Sequence, residues 1–468
     1  MQRLRKSLFA VIPAFTFLFL FTFCADEEVV VPTATSADSV KVSAASTTPP
    51  ACSTCKYVVP ANVMVVDAKL LGIQPGDMIC FSSAIKYTTS ITLKNVVGTV
   101  DKPVIISNCG GTAVLTVTER PWNVKMSYSK FFRFTGGNVD GTYGIKISGS
   151  TSNGLVLCDL STNFEVDHVE VSNVGFAGIM AKTDPTCDNA TNRGYFTMRN
   201  ISIHHNYVHH TGGEGLYVGH TFYGGYNLSC GMKLPHTIEG SKIYNNKVTY
   251  TGWDAIQVSS ATKDANIYNN TVENFGTKMK SAQDYGIILG AGTGGRCYGN
   301  YVKGGTGTSL CVFGLTSNMI YNNLIVNSAK TGIFCDERVD VYGTGYKVMN
   351  NTIINPKEVG IRMYADKVPS NVVINNIVVN PGLYGQHGVH SFIMTLYWMK
   401  NTTIANNYTT RNIADVKFVG PTTFNYRLQS TSPAVNKGRS VSSYGIPTDF
   451  YGGARLKGSY VDIGVAEY

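Results

Sequence analysis

The sequence predicts an all-β fold, a single-stranded right-handed parallel β-helix of about ten coils. Three observations predict it. A short motif ending in Asn recurs along most of the chain. A second motif of the form Gly-Ile-x-Val recurs between copies of the first. The Asn that ends the first motif stands at 206, 246, 270, 300, 323, 351, 376 and 407, and most of those intervals fit one solenoid coil plus a loop of variable length.

The first motif reads Ile-Tyr-Asn-Asn at 243–246, 267–270 and 320–323, Val-Met-Asn-Asn at 348–351 and Val-Ile-Asn-Asn at 373–376. Weaker copies end at Asn206, Asn300 and Asn407. A short strand alternates inward apolar and outward polar residues. Asn at its end tolerates the left-handed backbone of a tight turn, and its amide can bond the backbone or the Asn of the next coil. The pattern therefore predicts an asparagine ladder, a structural device rather than a glycan-binding motif.

The second motif sets out another strand per coil: Gly178-Ile-Met-Ala, Gly215-Leu-Tyr-Val, Ala255-Ile-Gln-Val, Gly286-Ile-Ile-Leu, Leu310-Cys-Val-Phe, Gly332-Ile-Phe-Cys, Gly360-Ile-Arg-Met and Gly388-Val-His-Ser. The first and third residues after the leading one are expected to face the core, and the second and fourth solvent.

The organisation along the chain is read as residues 1–23, 24–50 and 51–468. Met1 to Ser7 is a short basic head, and Leu8 to Phe23 is apolar and rich in Phe. Cys24 follows, and the segment resembles a bacterial lipoprotein signal in which that Cys carries the lipid. Residues 24–50 form a Ser/Thr/Pro-rich tether, and 51–468 the β-helix. The expected location is the outer membrane, facing the cell surface or the periplasm, with a monomeric body and no nucleic-acid partner. The formal charge of +9 falls to about +6 without Arg3, Arg5 and Lys6, a mild excess compatible with a polyanionic partner.

Export implies an oxidising compartment. Cys80 with Cys109 and Cys187 with Cys230 are the expected bridges, Cys52-x-x-Cys55 a local clip, and Cys311 and Cys335 inward core filler.

Over about residues 60–465 the chain resembles the pectate-lyase-like superfamily of right-handed β-helices. Gln74-Pro-Gly-Asp-Met-Ile-Cys-Phe81 and Gly98-Thr-Val-Asp-Lys-Pro-Val-Ile-Ile106 look like the opening of the chondroitinase B and alginate lyase family. The end, Ser432 to Tyr468, looks like a closing coil of bacterial surface β-helix proteins. The family's compact acidic motif is not intact here, so no catalytic residue is carried over by match.

Function is read from register instead. The longest loops, 182–194, 220–236 and 336–346, leave the Gly-Ile-x-Val sheet, and just before its strands successive coils carry Glu214, Asp254 and Asp284. Rungs about 4.8 Å apart would bring these acids into one column. In one reading they hold Ca2+ that bridges to a uronate carboxylate, and a nearby base removes the proton alpha to it. Lys182, His220, Arg338 and Arg362 are the nearest cations, with Lys182 and Arg362 as base or clamp. In another reading two acids serve as the acid and base of a glycoside hydrolase. Tyr217, Tyr223, Trp253, Gln257 and Tyr364 are the expected sugar contacts, aromatic faces stacking on sugar rings. The expectation is a lyase on a uronate-containing acidic polysaccharide; the alternatives are a hydrolase and a non-catalytic glycan-binding adhesin. His204 and His205 replace the Tyr-Asn of the ladder turn and read as a turn variant, with His209 and His210 beyond them.

Overall fold

The computed structural model describes residues 50–468 except 138–139, 338–343, 366, 383–390 and 396–400. The leader, Cys24, most of the tether, Arg338 and residues 388–390 of the segment Gly388-Val-His-Ser lie outside the described residues.

The chain is a right-handed parallel β-helix; among the described residues its three long parallel sheets have 14, 12 and 11 strands, here called sheets one, two and three. One coil shows the winding: Thr162–Asp167 in sheet one, Val169–Val174 in sheet three, Ile179–Ala181 in sheet two, then Thr197–His204 back in sheet one. Sheet two has 12 rungs because the early coils wind without the Asn pair that marked the later ones. Inward Val, Ile, Leu and Phe residues from all three sheets merge into one continuous buried core from Val59 to Val378.

The Asn pair divides its labour. The first member takes the left-handed turn, with φ between 50° and 58° at Asn245, Asn269, Asn322, Asn350, Asn375 and Asn406. His168 and His205 take the same conformation at φ 53° in the two preceding coils, so the turn-variant reading of His205 holds. The second member points inward. The side-chain amide of Asn206 donates to the Asn246 Oδ1, and so on through Asn270, Asn300, Asn323, Asn351 and Asn376 to Asn407, at 2.9–3.1 Å. Each acceptor also takes the backbone N–H of the preceding Asn, so the buried corner is fully paired. Outside it, Tyr244, Tyr268, Tyr298 and Tyr321 stack with ring centroids 4.8–5.0 Å apart, the spacing of the rungs.

The glycine that opens several sheet-two strands also has a steric cause. A Cβ on Gly178 or Gly215 would lie 2.3 or 2.4 Å from a methyl of Val208 or Val248, the inward residues of sheet three. Glycine lets that valine fill the corner.

Four expectations are corrected. Cys80 and Cys109 do not bridge each other, nor do Cys52 and Cys55: the disulfides are Cys52–Cys109, Cys55–Cys80 and the expected Cys187–Cys230. The rungs pair Cys80 with Ser107 and Ser82 with Cys109, so the two strand cysteines are two residues out of register. The short 3-10 turn Cys52–Thr54 instead delivers one thiol to each rung. Leu310 pairs with Ile287 and Ile333, which shifts that strand by one: Cys335 is inward, whereas Cys311 faces outward and is buried under Ile288, Phe313 and Phe334. Ile361 pairs with Ile393, so the rung that follows Gly360-Ile-Arg-Met is Ile393–Thr395 and not the expected segment. Finally, the C-terminal segment adds no coil to the three sheets among the described residues. It folds back along the Asn corner, where the outer amides of Asn322, Asn350, Asn375 and Asn406 donate to carbonyls of Thr448, Asp462, Arg439 and Lys437 at 2.7–3.0 Å.

Replacing Asn300 by Ala removes the acceptor of two Asn270 donors and the donor to Asn323. Buried groups left unpaired cost about 1–3 kcal/mol each, so this substitution is expected to destabilise by roughly 2–4 kcal/mol. Chemical denaturation checks it, with Asn245→Ala at the exposed turn as a milder control.

Candidate functional site

The outward residues of sheet two form a file that runs along the solenoid: Met180, Tyr217, Gln257, Ile288, Cys311, Phe334, Arg362 and Met394 are cross-strand partners in succession. Polar chemistry concentrates at Tyr217 and Gln257. On either side lie apolar patches, one of Val156, Cys158, Ala177 and Met180, the other of Ile288, Cys311 and Phe313.

Two long loops build the walls. Both leave sheet two and return to sheet one, and Cys187–Cys230 ties them together. Arg193 donates to the Tyr223 carbonyl at 2.7 Å and lies 3.9 Å over its ring. Tyr223 is thereby packed into the wall. At the root, buried His236 accepts the Thr183 N–H at 3.0 Å and fixes the turn that follows Lys182.

Lys182 is ion-paired with Asp184 and sits 5.5 Å from the Tyr217 ring. Its place beside that carboxylate and ring suits a clamp on an anion. Burial pushes Asp184 up, but the Lys182 ammonium outweighs it and holds its carboxyl below the usual range. His220 is pushed down to about 3 by burial and then by Lys182, so its ring is neutral. Its Nδ1 accepts the Phe222 N–H at 3.1 Å, which leaves Nε2 as the protonated nitrogen, 3.6 Å from Asp184. His220 thus faces Asp184 with a neutral ring, and its basic lone pair is already used. The Tyr217 hydroxyl and the Gln257 amide both meet the Thr221 hydroxyl, at 2.8 and 2.9 Å.

Glu214 and Asp254 are adjacent rung partners: the Gly215 N–H donates to the Asp254 carbonyl, and Leu216 pairs with Ile256. Both are buried, at 3% and 2% exposure. Burial raises Glu214 to about 7 against the pull of Lys280 and Lys182, and its Oε2 has no hydrogen-bond partner among the described residues. Burial and then the Glu214 charge raise Asp254 well above the carboxylate range, although it accepts the Tyr285 N–H at 2.8 Å. Trp253 packs edge-on against Phe176 at 5.4 Å and carries the Lys280 ammonium 3.5 Å over its ring.

Asp284 departs from the expected column. Tyr285, not Asp284, is the rung partner of Asp254, and the Asp284 carboxylate is bound to Lys330 at 2.5 Å. The expected calcium site would need several converging oxygens. Among the described residues, the groups of three that bring ligand atoms within 4.8 Å of one another are Cys55–Cys80–Cys109 and Glu165–Asp167–His204. The three acids form no such group, and the residues present do not fit a calcium cage. The Glu165 group is itself filled by Arg133, whose Nε lies 3.0 Å from Glu165 and 2.6 Å from Asp167.

Arg362 and Tyr364 are not brought to this place. Five rungs separate Arg362 from Tyr217, about 24 Å. There Arg362 pairs with Glu358 at 2.9 Å, and Phe334 packs edge-on against Tyr364 at 5.6 Å. The structure therefore gathers Lys182, Glu214, Tyr217, His220, Trp253, Asp254 and Gln257. Sequence reasoning missed Asp184 and Lys280. Asp184 lies two residues beyond Lys182 and could have been found as its partner; Lys280 enters from a loop two motifs away and left no signal.

The family described as "Right handed beta helix region" matches residues 236–409. No curated protein sequence matches the chain. Among solved structures, similarity extends to the pectate lyase Pel9A, with 13% identity, 88% of this chain and 96% of that one covered, and a TM-score of 0.48. An alginate lyase from Paenibacillus sp. shares 15% identity, with 76% and 100% covered and a TM-score of 0.43. A lacto-N-biosidase from Eubacterium ramulus shares 13%, with 72% and 62% covered and a TM-score of 0.44.

Glu214 sets a pH-dependent strain. Its folded pKa lies above the unfolded value of 4.5, so the unfolded chain binds fewer protons than the native one between 4.5 and about 7. Its contribution to stability is full below 4.5 and is lost as pH rises through that window. Glu214→Gln is expected to remove that slope and to stabilise the protein at pH 8 by roughly 1–3 kcal/mol, read as the difference between the two denaturation curves across pH.

Proposed function

We propose that this protein is a polysaccharide-active enzyme of the extracytoplasmic space that works on an acidic glycan by general acid–base chemistry, with β-elimination from a uronate as its reaction. The carrying observation is the Glu214 carboxyl: buried, raised to about 7, with one oxygen unpartnered and two lysines within electrostatic reach. Perturbed carboxyls of this kind cluster at functional sites.

The roles follow from charge. A substrate carboxylate is held by the Lys182 and Lys280 ammonium groups, which also stabilise the enolate-like anion. Glu214, near half-ionised at neutral pH, takes the proton alpha to that carboxylate. Tyr217, whose phenol burial keeps protonated, gives its proton to the leaving glycosidic oxygen as that carbon–oxygen bond breaks and the ring double bond forms. Trp253 and Gln257 contact the sugar, while Asp254 keeps Glu214 company as a neutral carboxyl. No step needs a metal, so chelator is expected to leave turnover intact.

One observation favours a second reading. Asp184 is held below the usual carboxylate range while Glu214 is raised to about 7, and carboxyls pushed apart in this way suit the base and acid of a hydrolase. The three disulfides support an oxidising location, and anchoring through a lipid on Cys24 completes the proposal.

Incubation with pectate-like and alginate-like polyuronates decides among these. A lyase gives an ultraviolet-absorbing unsaturated product, lost at least 100-fold in Glu214→Gln, with activity rising as pH passes about 7. A hydrolase gives reducing ends without that absorbance, and activity falling through the same pH. Retardation on a glycan gel with neither product would leave a binding protein. Cys24→Ser is expected to move the protein from the membrane to the soluble fraction.

A further inference from the structure

The corner between sheets three and two repeats a left-handed turn that the sheet-two site does not use. One residue per coil takes it. In chain order these are Gly149, Asn173, His210, Tyr250, Asn274, Gly304, Asn327, Asn355 and Asn380, with φ between 46° and 91°. The sheet-three register aligns them from coil to coil. All but two are Gly or Asn, the residues that accept a positive φ most readily. Asn355 also donates to Asn327 at 3.3 Å, and Asn380 to Asn355 at 3.1 Å. His210 and Tyr250 are the exceptions. A bulky ring in this backbone region is strained, and such outliers gather at functional positions.

The two rings do not fill a core. Tyr250 is 47% exposed, and neither ring joins an apolar cluster among the described residues. They stack on each other instead, with centroids 5.0 Å apart and planes 16° from parallel. The His210 Nδ1 lies 2.8 Å from the His209 Nδ1, and His209 turns its Nε2 to Glu170 at 3.4 Å. With the His209 proton on the Glu170 side, its Nδ1 accepts from His210, and the His210 Nε2 holds a lone pair.

Beside the stack lies a shallow cavity of about 550 Å³, lined also by Ser150, Asn173, Thr277 and Lys278. The Thr277 N–H donates to the Thr251 carbonyl at 2.9 Å and the Lys278 N–H to the Gly252 carbonyl at 3.0 Å, which seats this loop on the corner. A Cβ on Gly212 would meet the Lys278 Nζ at 3.1 Å, so the ammonium lies over that backbone. Lys278 has no carboxylate partner among the described residues. Lys280, on the same loop, stands over Trp253 at the sheet-two site. Burial lowers the Lys280 pKa, Glu214 pulls it back, and Lys278 lowers it again, so the two ammonium groups repel each other. An anion placed along this loop relieves that repulsion.

We propose that the corner of His210, Tyr250 and Lys278 binds a uronate residue of the acidic glycan that reaches the sheet-two site, so that the glycan crosses the solenoid axis over Trp253. Lys278 holds the carboxylate, the Tyr250 ring packs against the sugar, and the His210 Nε2 accepts a hydroxyl. Tyr250 and Asp254 are four residues apart, at most about 14 Å, within the span of a short oligosaccharide. The glycan class rests on the function proposed above, whereas binding at the corner does not need that chemistry.

Calorimetry with hexamers of galacturonate and of mannuronate, in a Glu214→Gln background, reads binding without turnover. Tyr250→Asn supplies the residue that other coils place at this turn. It is expected to keep or raise the melting temperature and to weaken binding of one hexamer at least tenfold. Lys278→Gln is expected to weaken the same binding and to flatten its dependence on salt. No binding by the Glu214→Gln protein, equal binding after Tyr250→Asn, or a lowered melting temperature with affinity intact overturns the corner. Weakened binding in Tyr250→Asn, with no product from the parent, keeps the corner and sinks the catalytic reading. Product from the parent, with Tyr250→Asn binding equally, does the reverse.

Discussion

A solenoid must turn its backbone at the same corner in every coil, and each turn inside the wall leaves amide groups that water cannot reach. In this protein the inward Asn of each pair answers that need. Its Oδ1 takes two donors from the coil before, and its amide reaches the strand carbonyl and the next Asn. Because donor and acceptor belong to successive coils, the ladder fixes the stacking distance and the register together. The aromatic stack on the outside and the valine-filled glycine corner both depend on that fixed register.

The candidate site inherits its geometry from the same constraint. Residues about 30 to 40 positions apart, such as Asp254 with Glu214 and Tyr285, meet because their rungs must stack. Stacking also produces the electrostatics. Two carboxyls on neighbouring rungs in a desolvated place disfavour each other's charge, and the loops that exclude water supply the lysines that partly offset this. The disulfide between those loops holds the wall closed at a point where neither loop has a core of its own.

The two faces of the solenoid divide stability and chemistry. The C-terminal segment covers the outer faces of the late coils with its own apolar residues, Val416, Phe418, Tyr426, Leu428 and Val465 on sheet three and Val441, Ile446 and Val461 on sheet one. Arg455, 2% exposed, locks it by binding Glu467 and the outer Asn322. Sheet two stays clear of that cover, and the open stretch of the Asn corner carries the histidines.

The repeat made the fold legible without coordinates. The period, the Asn pair and the alternation of each strand determined the parallel β-helix, the asparagine ladder and the location of Glu214 beside Asp254, because each is a local property repeated at a fixed interval. Cross-coil details were not local. A one-residue slip decided that Cys311 faces outward and that Tyr285 displaces Asp284 from the acid column. A two-residue offset between rungs sent Cys80 and Cys109 to different partners. Arg362 shares the pattern of Tyr217 yet stands five rungs away, since a pattern gives the face of a residue and not its height along the axis. Only the stacked structure supplies that height, and with it the neighbours that set each charge.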